Sequence, residues 1–268
     1  MTGTHSAPAG VSAEAGVPLV QCLDAARTYG TGPSAVVAVH GANCAVHAGA
    51  RIAVVGPSGS GKSTLIHLMA ALDRPTAGHV IHPGLALGNR TNATWNGDTR
   101  AGGAGKRQSG KDSDILPARE IGVVFQGPSL LPPLTAVENV ALPLLIDGVG
   151  GTEATERAFE ALYGLGLGPL AMKLPDEMSA GQAQRVAVAR MLARGPRLIL
   201  ADEPTGRLDR ETARQVLNAL LDAAESLGAA VLVATHDARI AGALEERWYM
   251  ADGRLISPEQ PSRERELR

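Results

Sequence analysis

Residues 56–63 read Gly-Pro-Ser-Gly-Ser-Gly-Lys-Ser and directly follow the apolar run Arg51-Ile52-Ala53-Val54-Val55. This order of strand, glycine-rich turn and helix predicts a phosphate-binding P-loop, because glycines let the backbone curl closely around a polyphosphate. The helix that opens near Lys62 would add free amides and the positive end of its dipole. A glycine turn without a ligand is the alternative, and the Lys-Ser pair at the helix start argues against it.

The P-loop pattern also assigns individual contacts. Lys62 is expected to reach the β- and γ-phosphates of a nucleoside triphosphate, and Ser63 is expected to ligate Mg²⁺. The backbone amides of the loop would surround the phosphates. The residues expected to bind the nucleotide in this segment are Gly56, Pro57, Ser58, Gly59, Ser60, Gly61, Lys62, Ser63 and Thr64.

The bulk composition is that of an ordinary globular protein. The chain has 268 residues, of which 44% are hydrophobic, and a formal charge of −2. This balance supplies no general attraction to nucleic acid, so no nucleic-acid partner is expected. No run approaches the roughly 18 consecutive apolar residues of a membrane-spanning helix. The only cysteines, Cys22 and Cys44, lack metal-ligand spacing and are expected to be small buried residues.

Short apolar runs alternate with helical patterns along most of the chain. Each run ends beside polar or glycine residues, as in open α/β sheets whose ligands bind at the carboxyl edge of the strands. The clearest strands are Ile52–Val55, Ile121–Phe125, Leu198–Ala201 and Val231–Ala234. The candidate site is therefore one edge of a mostly parallel sheet.

Four further segments differ from this alternation. Residues 82–113 are rich in glycine and polar residues and predict a flexible insertion, more readily a tolerated surface loop than a specific binding site. Residues 128–190 are largely helical in pattern and predict a helical subdomain that interrupts the sheet. Residues 1–18 predict a disordered tail without a secretion signal, and residues 257–268 a polar tail.

Polar side chains follow three of the predicted strands at the edge where the P-loop is expected. Asp202 would hold Mg²⁺, and the adjacent Glu203 would polarise the attacking water. His236 can donate a hydrogen bond to the terminal phosphate, and Gln126 can bridge to Mg²⁺ or the attacking water. Taken alone, the acids also fit a solvated turn, the histidine a structural role and the glutamine a plain hydrogen bond. The P-loop upstream favours the catalytic interpretation.

A fourth polar element is the segment Met178-Ser179-Ala180-Gly181-Gln182, which precedes a helix expected at Ala183–Ala193. A hydroxyl and free amides at a helix N-terminus can bind a second anion. By itself the segment would be only a helix cap.

In order and spacing these elements resemble the ATP-binding cassette of ABC transporters, over nearly all of residues 19–256. Leu208-Asp209 then resembles the D-loop of that family. Tyr29 stands where the family has an aromatic residue that stacks on adenine, with a plain core or surface tyrosine as the alternative. The other matches are residues 56–63 with the Walker A motif, Gln126 with the Q-loop, residues 179–182 with the signature motif, residues 198–203 with the Walker B motif, and His236 with the H-loop histidine.

The resemblance implies a fold and a mechanism. The fold is α/β, with a P-loop NTPase (RecA-like) core, a mixed sheet, an antiparallel β arm and an inserted α-helical subdomain. Two cassettes, expected to be a homodimer, would close head to tail around ATP. The catalytic residues would be Glu203, His236, Lys62 and Gln126, and the Mg²⁺ ligands Ser63, Gln126 and, through water, Asp202. The opposing subunit would complete each site with Ser179, Ala180, Gly181, Gln182 and Asp209.

The resemblance also implies a membrane partner. Val124-Phe125-Gln126, residues 130–140 and Pro204-Thr205-Gly206 look most like cassettes for lipoprotein release, macrolide export and cell division. We therefore expect a separate integral-membrane permease, which would hold the chain at the cytoplasmic face of the cell membrane. The alternative is a cell-division cassette that regulates an extracytoplasmic cell-wall hydrolase without transport. Soluble DNA-repair or translation cassettes are disfavoured by the absence of a long coiled-coil insertion.

Three departures from the family pattern accompany these matches. Met178 and Ala180 replace the usual leucine and first glycine of the signature motif, and loss of that glycine could alter phosphate contacts. Arg207 stands where this group commonly has asparagine. The segment before Gln126 is longer and more glycine-rich than usual, so its permease contacts are left open.

Overall fold

Two sheets and six helices make up the part of the chain that the computed structural model describes, residues 16–85 and 119–256. The expected α/β fold with a mixed sheet and an antiparallel sheet is confirmed. The strands are β1 Val20–Tyr29, β2 Val36–Val46, β3 Arg51–Val55, β4 Ala77–Ile81, β5 Ile121–Val124, β6 Leu198–Asp202, β7 Ala230–Thr235, β8 Glu246–Ala251 and β9 Arg254–Ile256. The helices are α1 Lys62–Met69, α2 Ala136–Ile146, α3 Gly151–Gly164, α4 Ala180–Leu192, α5 Arg210–Leu227 and α6 Ala238–Ala241.

The central sheet has the strand order β5-β6-β7-β3-β8-β9 and is parallel except for the last pair. Strands β6 and β7 are buried at every position, which explains their continuous apolar sequences. The register pairs Val55 with Thr235 and Asp202 with Ala234. Strands β3, β6 and β7 therefore end at one edge, where the P-loop, Glu203 and His236 follow them directly.

The second sheet is antiparallel, with the order β2-β1-β4. Register shifts interrupt the β1–β2 pairing between Cys22 and Thr28, so the alternation of a simple strand is lost there. Cys22 pairs directly with Cys44; Cys22 is buried, as predicted, whereas Cys44 is only half-buried.

Helices α2, α3 and α4 pack against one another through an apolar cluster that includes Val140, Leu144, Leu162 and Val186. Thr135 caps α2: its backbone N–H donates to Glu138 Oε2 at 2.8 Å, and its hydroxyl accepts from the Glu138 backbone N–H. All three helices lie in or just beyond the segment predicted to be helical. None of the described helices combines the length and apolar character that crossing a bilayer requires.

The predicted insertion and tails fall mostly outside the described residues. Of residues 82–113, only 82–85 are described: Leu85 is buried, and the Gly84 N–H donates to Pro18 O at 2.8 Å. Residues 86–113, 1–15 and 257–268 lie outside the described ranges. The predicted strand Ile121–Phe125 ends one residue early, at Val124, and the Phe125 side chain is exposed.

Candidate active site

The P-loop connects β3 to α1 and is held between two neighbouring strands. Gly59 and Gly61 have φ values of +78° and +99°, a region that favours glycine. A Cβ on Gly61 would overlap the Ala38 carbonyl of β2, and one on Gly56 would overlap the Met250 carbonyl of β8. Close packing therefore requires glycine at both Gly56 and Gly61. The positive φ of Gly61 is a second reason at that position.

Two polar groups of the loop fit a bound anion. The Ser60 hydroxyl is buried and has no hydrogen-bond partner among the described residues. Leaving such a group unsatisfied costs about 1–3 kcal/mol, which an anion or water inside the loop would offset. Lys62 is 5% exposed, and its Nζ donates to Gly56 O and Pro57 O at 2.9 Å each. The loop thus holds an ammonium group where the phosphates of a nucleotide are expected.

Ser63 and Asp202 form the part of the site that fits Mg²⁺. The Ser63 hydroxyl donates to Asp202 Oδ1 at 2.9 Å, which joins the start of α1 to the end of β6. Burial raises the pKa of Asp202, and the Ser63 hydrogen bond opposes this effect only in part. A hydroxyl and a carboxylate oxygen are hard ligands of the kind that Mg²⁺ prefers, and a cation would favour the ionised acid. Both residues therefore fit the ion.

Glu203 and His236 face each other at the ends of β6 and β7. His236 Nδ1 lies 2.8 Å from Glu203 Oε2, and Lys62 Nζ lies 3.8 Å from Glu203 Oε1. The Glu203 side chain is 15% exposed and that of His236 60%. Glu203 has a φ of +48°, while its backbone N–H still donates to Ala234 O at 3.0 Å. This left-handed turn, which the sequence did not reveal, costs about 1–3 kcal/mol and aims the carboxylate into the cluster.

Gln126 reaches the same cluster from the exposed turn after β5. A Cβ on Gly206 would stand 3.2 Å from Gln126 Nε2 and 3.5 Å from Glu203 Oε2, so Gly206 lies between these side chains. Arg207 Nη1 would be 4.0 Å from a Cβ on Gly127, next to Gln126. The structure therefore brings Gln126 near Glu203 and places the unusual Arg207 beside the Q-loop segment.

Tyr29 ends β1 and is held by two neighbours. Its hydroxyl donates to Asp73 Oδ2 at 2.8 Å, and the Arg27 guanidinium lies 4.6 Å from the ring centroid. Arg27 therefore occupies one face of the ring, and stacking on a base would use the other face. The adenine contact of Tyr29 stays a prediction.

The signature segment, residues 179–182, begins helix α4. The Ser179 N–H donates to Gln182 Oε1 at 2.9 Å, and the Ser179 hydroxyl accepts from the Gln182 N–H at 3.2 Å. This capping box starts the helix at Ala180, so the predicted start at Ala183 was wrong by three residues. The polar capping residues carry none of the apolar periodicity from which the start was inferred.

The two small residues of the signature segment have different environments. Ala180 is exposed at the first helical position, whereas Gly181 is buried. A Cβ on Gly181 would overlap Thr212 Cγ2 of α5. Among the described residues, no hydrogen bond or ion pair joins residues 179–182 or Asp209 to the P-loop, Asp202, Glu203 or His236. The predicted site residues therefore form two separate groups within one chain.

Single substitutions at Ala180 and Gly181 should have different effects on activity. Ala180→Gly should change the ATPase rate by less than about twofold, because an exposed alanine at a helix start costs little. Gly181→Ala should lower the rate by roughly tenfold or more, because its methyl group forces α4 and α5 apart. Steady-state phosphate release, with thermal unfolding of each variant, measures both. A large gain in Ala180→Gly would instead show that the natural signature segment is impaired.

Comparison with known proteins places the whole arrangement in one family. The family described as ABC transporter matches residues 39–206. The lipoprotein-releasing system ATP-binding protein LolD of Pseudomonas fluorescens is 38% identical over 239 residues, covering 89% of this chain and 97% of LolD. LolD of Legionella pneumophila (strain Lens) is 38% identical over 233 residues, covering 87% of this chain and 95% of that relative.

Solved structures agree with the sequence relatives. The dimeric, post-hydrolysis ATP-binding cassette MJ0796 bound to ADP and Pi superposes with a TM-score of 0.72 at 36% identity, over 88% of this chain and 96% of that one. CbiO1 from Clostridium perfringens also gives a TM-score of 0.72, at 24% identity over 89% of this chain and 87% of that one, and shows the shared fold. With this family match and these relatives, the chain belongs to the ATP-binding subunits of ABC transporters and is an ATPase.

Proposed function

We propose that this ABC transporter ATPase powers a separate membrane permease of the lipoprotein-release or macrolide-efflux type. The observation that carries the proposal is the meeting of Lys62, the Ser63–Asp202 pair and the Glu203–His236 pair at one edge of the sheet. Lys62 supplies a positive charge for the phosphates, the Ser63–Asp202 pair supplies oxygen ligands for a cation, and Glu203 supplies a general base for the attacking water. The relatives named as lipoprotein-releasing ATP-binding proteins support the choice of partner.

The chemistry assigned to each residue follows from its contacts. The loop amides and Lys62 would bind the phosphates, and Mg²⁺ would be held by Ser63, by Gln126 and, through water, by Asp202. When bound, Mg²⁺ neutralises charge on the β- and γ-phosphates. Glu203 orients the attacking water and accepts its proton at a carboxylate oxygen. His236 Nδ1 donates to the Glu203 carboxylate, so its Nε2 donates to the γ-phosphate when the ring carries both protons.

A second chain is needed because the two groups of site residues are separate. The signature segment lies at the N-terminus of α4, where the positive end of the helix dipole favours an anion, and Asp209 caps the N-terminus of α5. In a head-to-tail homodimer these N-termini would cover the nucleotide held by the opposite P-loop. The dimeric state of the MJ0796 cassette supports this assembly.

The permease is proposed to dock beside the Q-loop segment. A cleft between the central sheet and the helices is lined by Leu72, Phe125, Pro143, Arg190 and Arg194, and the first two side chains are exposed. Arg190 donates to Ser129 O at 2.8 Å and to Pro128 O at 3.2 Å. A partner that presses on this cleft would therefore act on the segment that carries Gln126. Docking there would place the chain at the cytoplasmic face of the membrane.

Recovery of the membrane partner tests the proposal. The tagged chain, purified in mild detergent from its own cells, should retain a permease with a large extracytoplasmic domain, and the reconstituted complex should release lipoprotein from vesicles when ATP is added. Leu72→Asp should reduce permease recovery at least fivefold, because its side chain is 54% exposed in the cleft. Met172→Asp is the matched control, since Met172 is 71% exposed and lies outside the cleft lining.

Other outcomes of this experiment point elsewhere. Recovery of a permease bound to a cell-wall hydrolase, without lipoprotein or macrolide transport, would favour the cell-division alternative. Recovery of nucleic acid at physiological salt, with no membrane protein, would overturn the permease proposal.

A further inference from the structure

Thr212 makes two different contacts with one side chain. Its methyl group, Cγ2, packs on Gly181 so closely that any Cβ there would overlap it. Its hydroxyl donates to Asp209 Oδ2 at 2.6 Å. The two partners belong to the signature segment and to the D-loop position, which lie on different helices, α4 and α5. Thr212 is thus the direct physical link between them.

The Asp209 carboxylate is held by the Thr212 hydroxyl together with two backbone N–H groups. Asp209 Oδ1 accepts from the backbone N–H groups of Glu211 at 3.1 Å and Thr212 at 3.0 Å, which caps α5. The Thr212 hydroxyl engages the other oxygen, so both oxygens are held while the residue remains exposed. The hydrogen bond from Thr212 is also the largest cause of the lowered pKa of Asp209. An exposed carboxylate is held in one orientation by these three donors.

We propose that Thr212 is a positioning residue that makes the signature segment and Asp209 move as one unit toward the nucleotide of the opposing chain. The inference rests on the head-to-tail arrangement of the proposed function. If it holds, Thr212 serves the other chain's site and not the P-loop of its own chain. Its effect is therefore exerted in trans, which a merely structural contact within one chain would not be.

Two substitutions separate the contacts of Thr212. Thr212→Val keeps the methyl group and the shape but removes the hydroxyl, whereas Thr212→Ser keeps the hydroxyl and removes the methyl group. Thr212→Val should lower turnover roughly five- to tenfold with nucleotide affinity within about twofold of the parental value, since only one solvent-exposed hydrogen bond is lost. Thr155→Val is the matched control, because Thr155 is exposed on helix α3 and its hydroxyl donates to the Gly151 carbonyl at 2.9 Å.

The methyl contact has its own test by rescue. Gly181→Ala forces its new methyl group against Thr212, and Thr212→Ser removes the methyl group that it meets. The double variant should therefore turn over ATP faster than Gly181→Ala alone. If the double variant is no faster, the Gly181–Thr212 contact does not limit activity and the proposal fails.

Mixed dimers decide whether Thr212 acts in trans. A Thr212→Val chain paired with a Glu203→Gln chain contains one intact composite site, formed by the Glu203 of the first chain and the Thr212 of the second. Its rate should match that of a reference dimer of parental and Glu203→Gln chains. A rate as low as that of the Thr212→Val homodimer would overturn the proposal.

A second mixed dimer distinguishes failure of the Thr212 proposal from failure of the head-to-tail arrangement. Ser179→Asp keeps the helix cap of α4 but adds negative charge to the signature segment. Paired with a Glu203→Gln chain, it too should regain the reference rate. Recovery with Ser179→Asp but not with Thr212→Val overturns only the role of Thr212. Recovery with neither overturns the head-to-tail arrangement, and the trans role of Thr212 with it.

Discussion

Replacing Lys62 by alanine should abolish ATP turnover. The buried Lys62 ammonium lies among the Gly56 and Pro57 carbonyls and 3.8 Å from Glu203, so it stands beside the catalytic candidate. Each charge-assisted hydrogen bond to phosphate is worth about 1.5–3 kcal/mol, and two of them correspond to roughly a hundred- to ten-thousandfold in rate. We expect a loss of at least a hundredfold, measured as phosphate release at saturating ATP.

The control for this substitution is Lys173→Ala. Lys173 is an exposed lysine whose backbone carbonyl accepts from the Ala136 N–H, an interaction that loss of the side chain leaves in place. It should hydrolyse ATP at the parental rate. Circular dichroism and thermal unfolding of both variants distinguish the loss of activity in a folded protein from unfolding. A Lys62→Ala chain that is folded and within about fivefold of the parental rate would contradict the phosphate role of Lys62.

Glu203→Gln should separate ATP binding from hydrolysis. Glutamine keeps the size of the side chain and can still contact His236, but it cannot accept a proton from water. Loss of a general base lowers rates by roughly a hundred- to ten-thousandfold, and we expect a loss within this range. Because binding is kept, ATP should hold the chains together as a dimer. Size-exclusion chromatography with and without ATP, beside rate measurements, tests both effects.

Glu156→Gln is the matched control for this change. Glu156 is exposed on helix α3, which carries none of the predicted site residues. Its replacement should therefore alter neither rate nor dimer formation. Hydrolysis by Glu203→Gln at the parental rate would show that another group activates the water. Loss of ATP binding in this variant would instead show that Glu203 serves the ground state.

The sheet and the edge that carries the site were predictable because they rest on buried parallel strands. Strands of this kind read as continuous apolar runs, and the polar residues that follow them stand out, as Asp202 and His236 do. The antiparallel arm was less visible. Its β1–β2 pairing is irregular, so only the family resemblance implied it.

Other features of the site depend on backbone conformation and packing that residue types do not encode. Glu203 adopts a left-handed φ, although glutamate gives no sign of this in the sequence. The two glycine positions of the usual signature motif look equivalent in sequence, yet only Gly181 is crowded. The difference arises from Thr212, which lies on another helix and becomes a neighbour only after folding.

The strand order has a consequence for the newly made chain. Strand β3, which precedes the P-loop, pairs with β7 and β8, and both are made about 180 residues or more after it. Such distant pairing is slow to form, because loop closure must precede the contacts that stabilise it. A nascent chain therefore possesses the P-loop sequence long before it possesses a P-loop site. Nucleotide capture would then mark the completion of the sheet, and unfinished chains on the ribosome would not compete for ATP.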